Sequence, residues 1–121
     1  MIAVGDHYFG QVPEILLRAS CPFGGGVGGC REELCGVLSG GILILGALRG
    51  RMSPTENDEG VRLQARQYRD WFIRRYGHCG CNPIRNQMPD VDKRCRSVVE
   101  EGARELVELL DSDGRVRGDT M

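Results

Sequence analysis

The chain has 121 residues, a single-domain length that is sufficient to bury a hydrophobic core. Its hydrophobic share of 40%, its charged share of 27% and its net charge of −1 are ordinary for a soluble globular protein, so composition gives no reason to expect nucleic acid or an anionic membrane as a partner. The cysteine count of 6 is high for such a chain. Because no basic segment leads into an apolar one in Met1–Gly10, we expect a cytoplasmic protein whose thiols are reduced, metal-bound or redox-active rather than a disulfide scaffold.

Helical periodicity runs through most of the chain and predicts an all-α fold. The first two helices are predicted at Met1–Phe9 and at Pro13–Ala19, where proline suits the first turn. The second helix is short, so it needs packing partners to be stable. Its predicted apolar face consists of Ile15, Leu16 and Ala19.

Three longer helices are predicted after these. The central one covers Arg31–Leu48, the next begins at the capping box Ser53–Glu56 and ends at Tyr76, and the last covers Asp90–Leu110. The helix that ends at Tyr76 has a core stripe of Val61, Ala65, Tyr68, Phe72 and Tyr76. The last helix has a core stripe of Val91, Cys95, Val98, Gly102, Leu106 and Leu109. The sequence therefore predicts a small helical bundle of four to five helices with a glycine-rich loop before the central buried helix. It forms a single domain over residues 1–110, followed by a polar tail over residues 111–121.

The central helix carries the longest apolar run of the chain, Leu34–Leu48. This run is interrupted by glycines and closed by Arg49 and Arg51, and it is shorter than the roughly twenty apolar residues of a membrane span. We therefore expect a core helix and no membrane span. One face of this helix carries Gly36, Gly40, Leu43 and Ala47. The glycines on this face would let another backbone or a cofactor approach closely.

A glycine-rich loop, Phe23–Gly29, precedes the central helix. It satisfies the spacing G-x-G-x-x-G, but a dinucleotide loop requires a preceding strand and an acidic residue about twenty positions later. A helix is predicted before the loop and Arg49 occupies the later position, so we do not expect a nucleotide. Two alternatives stay open, a helix connection with positive φ angles or a loop whose bare N–H groups surround an anionic cluster or thiolate.

The cysteines concentrate near predicted helix ends and loops. Cys30 lies near the N-terminus of the predicted central helix and Cys35 lies one turn further in. Cys79 and Cys81 follow the next helix, and Cys95 lies near the start of the last. Short connections in an antiparallel bundle bring such ends together, so Cys81 and Cys95 are expected to meet. The sequence leaves open whether Cys35 reaches them.

Three kinds of site would use such thiols. Cysteines near helix N-termini have lowered pKa values and exchange disulfides, three or four thiolates hold an iron–sulfur cluster, and thiolates with His78 would hold zinc. No C-x-x-C-H motif is present, so covalent haem is not expected. The remaining alternative is a purely structural helical interaction module, in which the cysteines are small core residues.

Several of these segments together resemble one known family, the C_GCAxxG_C_C family of redox-active proteins. The resemblance rests on the glycine loop Phe23–Gly28, the segment Glu33–Gly40 containing C-G-x-x-x-G, the aromatic helix ending at Tyr76-Gly77, and the later Cys81 and Cys95. It covers nearly the whole chain, from about Val12 to Leu110. It implies an all-helical domain with redox activity or a bound metal centre.

The resemblance also assigns roles to individual residues. It makes Cys35, Cys81 and Cys95 three of the family's four characteristic cysteines, while the fourth normally lies in an N-terminal helix. In this chain no cysteine precedes Cys21. The additional cysteines, one of which would replace the missing thiol, are Cys21, Cys30 and Cys79.

We therefore predict a redox-active protein that binds an iron–sulfur centre or uses a dithiol/disulfide pair to transfer electrons to a partner protein, and that forms a homodimer. A structural zinc site or a module without turnover is the alternative. The predicted catalytic residues are Cys35, Cys81 and Cys95, the predicted metal ligands are these three with Cys30 and Cys79, and the predicted cofactor-covering glycines are Gly24, Gly25, Gly26 and Gly28.

Overall fold

The computed structural model describes residues 1–88 and 95–112, and these residues form six α-helices and no strand. The predicted all-α bundle is confirmed. One short helix, α5, was not predicted, because five residues are too few to show a helical period. The elements are α1 (Ile2–Phe9), α2 (Glu14–Ser20), a 3₁₀ turn (Cys21–Phe23), α3 (Gly36–Arg49), α4 (Glu59–Tyr76), α5 (Cys81–Arg85) and α6 (Arg96–Ser112).

Helix α3 lies at the centre of the bundle, where it packs against both α4 and α6. Leu38, Ile44 and Leu45 of this helix are completely buried, as expected for a core helix. None of the helices in the described residues is both long enough and apolar enough to cross a membrane.

Glycines allow the close packing of these three helices. Gly41 of α3 faces the ring of Tyr68 on α4, and the Tyr68 hydroxyl donates a 2.9 Å hydrogen bond to the carbonyl of Gly102 on α6. The predicted glycine face was only partly right, because Gly41 is buried whereas Ala47 is exposed. The neighbouring predicted positions Gly36 and Gly40 do meet other parts of the chain closely.

Helix α4 begins later than the capping box predicted. Ser53 and Glu56 form a turn, in which the Glu56 carboxylate accepts a 2.6 Å hydrogen bond from the N–H of Met52, and no helix starts there. The side chain of Asn57 instead accepts a 2.8 Å hydrogen bond from the N–H of Glu59, so it caps one of the open donors at the true helix start. The predicted end is confirmed, since Gly77 follows with a φ of 78°.

Two other helices differ from prediction in their details. On α2 only Leu16 packs against the core, because Ala19 is exposed and Ile15 has 74% of its surface exposed. Helix α6 includes the first two residues of the predicted tail, and the deeply buried residue near its end is Leu110 rather than Leu109. The predicted start of that helix at Asp90, its Val91 and residues 113–121 lie outside the described residues.

A buried arginine lies between the C-terminal ends of α3 and α6. Arg49 ends α3, and its guanidinium donates a 3.0 Å hydrogen bond to the carbonyl of Leu110 in the last turns of α6. A cation is favoured at this end of a helix, where the carbonyl groups lack partners within the helix. Arg49 therefore connects the ends of two core helices and does not merely flank an apolar run.

The packing at Gly41 generates the first prediction. A Cβ at this position would overlap Cε2 of Tyr68 and lie 2.9 Å from its Cζ, so we expect Gly41→Ala to lower the free energy of unfolding by about 1–3 kcal/mol. The matched control is Gly46→Ala in the same helix, where the new Cβ meets no atom within 4 Å. There the better helix propensity of alanine should raise stability by up to about 1 kcal/mol. Urea unfolding of both variants measures the difference, and equal effects would contradict this packing.

The second prediction concerns Glu101, which joins α6 to the end of α4. Its carboxylate accepts hydrogen bonds from the Tyr76 hydroxyl at 2.6 Å and from the Arg75 guanidinium at 3.0 Å. The Tyr76 hydrogen bond, with help from Arg75, lowers the pKa of Glu101. A lowered pKa in the folded state means that this carboxylate stabilises the fold above its unfolded-state pKa, and that the stabilisation is lost as the pH falls through the folded-state pKa.

We therefore expect Glu101→Gln to cost about 1 kcal/mol at pH 7, and less as the pH falls below about 4.3, the ordinary glutamate pKa that the unfolded state retains. Glu100→Gln is the control, because the exposed Glu100 lies 3.9 Å from an equally exposed Arg96. Urea unfolding of wild type and both variants across this pH range tests the expectation. A Glu101→Gln cost that stays constant down to pH ~3 would contradict it.

Candidate functional site

A backbone pairing places two of the predicted site cysteines side by side. The segment Arg31–Cys35 runs antiparallel to Cys79–Asn82 around a bridge between Leu34 and Gly80. The N–H of Cys35 donates to the carbonyl of Cys79 at 2.9 Å, and the N–H of Cys81 donates to the carbonyl of Glu33 at 2.8 Å. Main-chain hydrogen bonds therefore fix the positions of Cys35 and Cys81.

This pairing also explains why the predicted start of the central helix was wrong. Arg31–Leu34 is not helical, Arg31 has a φ of 65°, and α3 begins only at Gly36 with Cys35 as its N-cap residue. The carbonyl groups of Arg31 and Glu33 accept hydrogen bonds from the N–H groups of Asn82 and Cys81 instead of continuing a helix. Cys30 consequently lies in the loop, and Cys35 lies at the helix end rather than one turn inside it.

All three predicted catalytic cysteines line one cavity, which we call the thiol cavity and which has a volume of about 350 Å³. Cys35 contributes from the start of α3, Cys81 from the start of α5, and Cys95 from the residue immediately before α6. Cys35 and Cys81 are buried, and Cys95 is half-buried. The structure thus answers what the sequence left open, because Cys35 reaches the same space as the other two cysteines.

Burial, backbone hydrogen bonds and neighbouring charges shift the pKa values of Cys35 and Cys81. Burial raises the pKa of Cys35, the backbone N–H groups of Val37 and Leu38 act in the opposite direction, and negative charge on Cys81 or Cys95 raises it further, so that the pKa is raised overall. Burial likewise raises the pKa of Cys81, followed by the charge on Cys95, while Arg31 and Arg85 act in the opposite direction. In the absence of a bound cation, Cys35 and Cys81 are therefore neutral thiols at pH 7.

The remaining predicted metal ligands lie elsewhere. Neither Cys30 nor Cys79 lines the thiol cavity, and His78 of the zinc alternative is exposed. Cys79 packs half-buried against the core, and its carbonyl accepts the hydrogen bond from Cys35. Cys30 is exposed, and its sulfur accepts a 3.4 Å hydrogen bond from the N–H of Glu32, which lowers the pKa of this thiol.

The glycine loop covers the cavity only in part. Gly24 and Gly25 line it, whereas Gly26 and Gly28 do not. The expected positive φ angles are present at Gly25, Gly26, Gly28 and Gly29. Gly26 is buried, and a Cβ there would lie 3.1 Å from the nitrogen of Arg31, so this glycine closes the loop onto the paired segment.

One residue of the cavity was not singled out by the sequence. Cys21, which the sequence suggests only as an additional cysteine, lines the thiol cavity from the 3₁₀ turn before the glycine loop. Four of the six cysteines therefore line this cavity. No spacing pattern signals this, because the turn is brought to the cavity by its packing on α3 and not by its distance along the chain.

The donor chemistry of the cavity fits a thiolate-bound metal centre. Thiolates are the ligands of iron–sulfur clusters and of closed zinc sites. Within residues 1–88 and 95–112, however, no three His, Cys, Asp or Glu side chains already converge as they would around one metal ion. The cysteines share the space, and binding a centre would require their side chains to turn toward a common point.

Comparison with known proteins identifies one family. The family model described as "Putative redox-active protein (C_GCAxxG_C_C)" matches residues 1–109 of the chain. No curated protein and no solved structure matches the chain significantly.

The third prediction follows from the different environments of the thiols. Because alkylating reagents react with the exposed thiolate, iodoacetamide at pH 7 should modify Cys30 faster than Cys35, whose burial both shields it and raises its pKa. Peptide mapping by mass spectrometry after timed quenching measures both rates in the reduced, metal-free protein. Adding urea should bring the two rates together, which serves as the control. Equal rates in the folded protein would contradict the described burial.

Proposed function

The chain belongs to the C_GCAxxG_C_C family, and from this premise we propose that it is a redox protein in which Cys35, Cys81 and Cys95 hold an iron–sulfur centre and pass electrons to a partner protein. The observation that supports the proposal is that these three cysteines, which are far apart in the sequence, line one cavity. Iron–sulfur centres usually have four cysteine ligands, so these three cysteines leave one ligand unassigned.

The size of the cavity favours an inorganic centre over a direct bond between sulfurs. The cavity opens to solvent, and its volume of 350 Å³ corresponds to roughly twelve water molecules at liquid density, so it has room for a small inorganic centre. A disulfide needs no space between its sulfur atoms, whereas a cluster must be accommodated. A bound cation would also reverse the repulsion that raises the pKa values of Cys35 and Cys81.

The protein contributes position, protection from water and charge. The backbone pairing holds Cys35 and Cys81, and Arg31 and Arg85 favour the thiolate form of Cys81. When bound, an iron–sulfur centre would accept and release single electrons. Phe23 and Val99, with 38% and 45% of their surfaces exposed, line the cavity and reach solvent, so they offer an apolar rim on which an electron-transfer partner would dock.

A dithiol/disulfide pair is the second candidate function. It is favoured by the finding that no three donors already converge within the described residues, because a disulfide needs only two. In this reaction Cys81 and Cys95 would lose two protons and two electrons to form an S–S bond, while the disulfide of a partner protein would take them up and become a dithiol. Zinc binding without turnover and a purely structural module are the remaining alternatives.

The fourth prediction separates these functions. Protein purified without oxygen should contain iron and acid-labile sulfide, and Cys35→Ser, Cys81→Ser and Cys95→Ser should each lose most of both. Cys79→Ser is the matched control, since Cys79 is also partly buried but does not line the thiol cavity, and it should retain both. Metal analysis, sulfide assay and absorption spectra provide the measurements.

Each other result of that experiment selects an alternative. Stoichiometric zinc in a colourless protein would indicate the structural site, and a metal-free protein with one oxidisable thiol pair would indicate the dithiol. A metal-free protein whose thiols resist mild oxidants would leave only the structural module. The homodimer and the cytoplasmic location stay predictions, and light scattering of the purified protein tests the first.

A further inference from the structure

We infer that Cys21 is the fourth thiol ligand of the site, so that a soft metal centre in the thiol cavity is bound by Cys21, Cys35, Cys81 and Cys95. The inference rests on the proposed function and extends it by assigning the ligand that three cysteines leave open. It selects Cys21 over the other two additional cysteines.

The first argument is the composition of the cavity wall. Cys21 lines the same cavity as Cys35, Cys81 and Cys95, whereas Cys30 and Cys79 do not. The four cysteines come from four separate places in the fold, namely the 3₁₀ turn, the start of α3, the start of α5 and the residue before α6. Their meeting in one cavity is therefore a result of tertiary packing.

The second argument is the close approach that brings the turn to this place. Gly36 directly follows Cys35, and a Cβ on it would lie 3.1 Å from the carbonyl oxygen of Phe23 and 3.6 Å from Cα of Gly24. The absence of a side chain at position 36 thus lets the Cys21–Phe23 turn rest on the first residue of α3. Two hydrogen bonds hold the turn: the N–H of Gly24 donates to the carbonyl of Cys21, and the N–H of Gly28 donates to the carbonyl of Pro22.

The third argument is the difference in exposure among the four cysteines. Cys35 and Cys81 are buried and Cys95 is half-buried, but Cys21 is exposed. It therefore lies on the solvent side of the cavity, and because no three donors converge among the described residues, its side chain would have to turn inward for a centre to bind. Four thiolates are a complete donor set for a tetrahedral soft metal ion or for an iron–sulfur cluster, whereas three leave one position for water.

Cobalt(II) is a suitable probe, because it occupies tetrahedral thiolate sites and its thiolate charge-transfer absorption increases with the number of bound sulfurs. We propose to titrate the reduced, metal-free full-length protein with Co²⁺ alone and to compare wild type with Cys21→Ser, Cys21→Ala and Cys30→Ser. Cys30 is the matched control, since it too is exposed and lies near the same loop but outside the cavity. Circular dichroism of the metal-free variants checks that each is folded.

We expect both Cys21 variants to lose roughly one quarter of the charge-transfer absorption, because one of four sulfur ligands is removed. We also expect them to bind Co²⁺ at least roughly tenfold more weakly, because removing a ligand lowers metal affinity at least as much as removing a group that orients one. Cys30→Ser should match wild type. If the Cys21 variants match wild type while Cys35→Ser does not, the inference is overturned and the proposed function stands. Equal losses in the Cys21 and Cys30 variants would also overturn it, since they indicate binding to surface thiols. Wild type without any thiolate–cobalt absorption would overturn the inference, while the iron and sulfide assays of the fourth prediction decide the proposed function separately.

Discussion

The candidate site depends on the antiparallel pairing of two short backbone segments, Arg31–Cys35 and Cys79–Asn82. This pairing joins the chain before α3 to the chain after α4, and it positions Cys35 and Cys81 through their own N–H groups. Because these hydrogen bonds involve the main chain, the distance between the two residues does not depend on the conformation of their side chains. The same pairing ends the glycine loop and sets where α3 begins, so the loop, the helix start and the cavity form one unit.

The thiols of this unit occupy two contrasting environments. In the thiol cavity, burial and mutual repulsion raise the pKa values of Cys35 and Cys81, so these two thiols are neutral at pH 7 when no cation is bound. On the loop outside it, the N–H of Glu32 lowers the pKa of the exposed Cys30. A lowered thiol pKa and a place in the cavity wall are thus properties of different cysteines. A centre that supplies positive charge would favour the thiolate form of the buried Cys35 and Cys81.

The sequence predicted those features that repeat along a helix or follow from local chemistry. The all-helical fold, the core stripe ending in Tyr68, Phe72 and Tyr76 and the end of α4 at Gly77 are confirmed, because periodicity and capping determine them locally. The start of α3 was wrong, because the pairing partner of Arg31–Leu34 lies nearly fifty residues later in the chain. Cys21 was undervalued for the same reason, since its place in the cavity wall depends on contacts between distant segments.

Tyr68 shows how strongly the positions in this small core constrain one another. Its ring lies against the bare backbone of Gly41, and its hydroxyl reaches the backbone of Gly102, so one phenol spans the gap between three helices. A larger residue at position 41 fits only beside a smaller one at position 68. A smaller residue at position 68 would lose the hydrogen bond to the carbonyl of Gly102 on α6. Among related proteins positions 41 and 68 are therefore expected to covary, and an evolutionary path that enlarges the residue at position 41 has to pass through a compensating replacement at position 68.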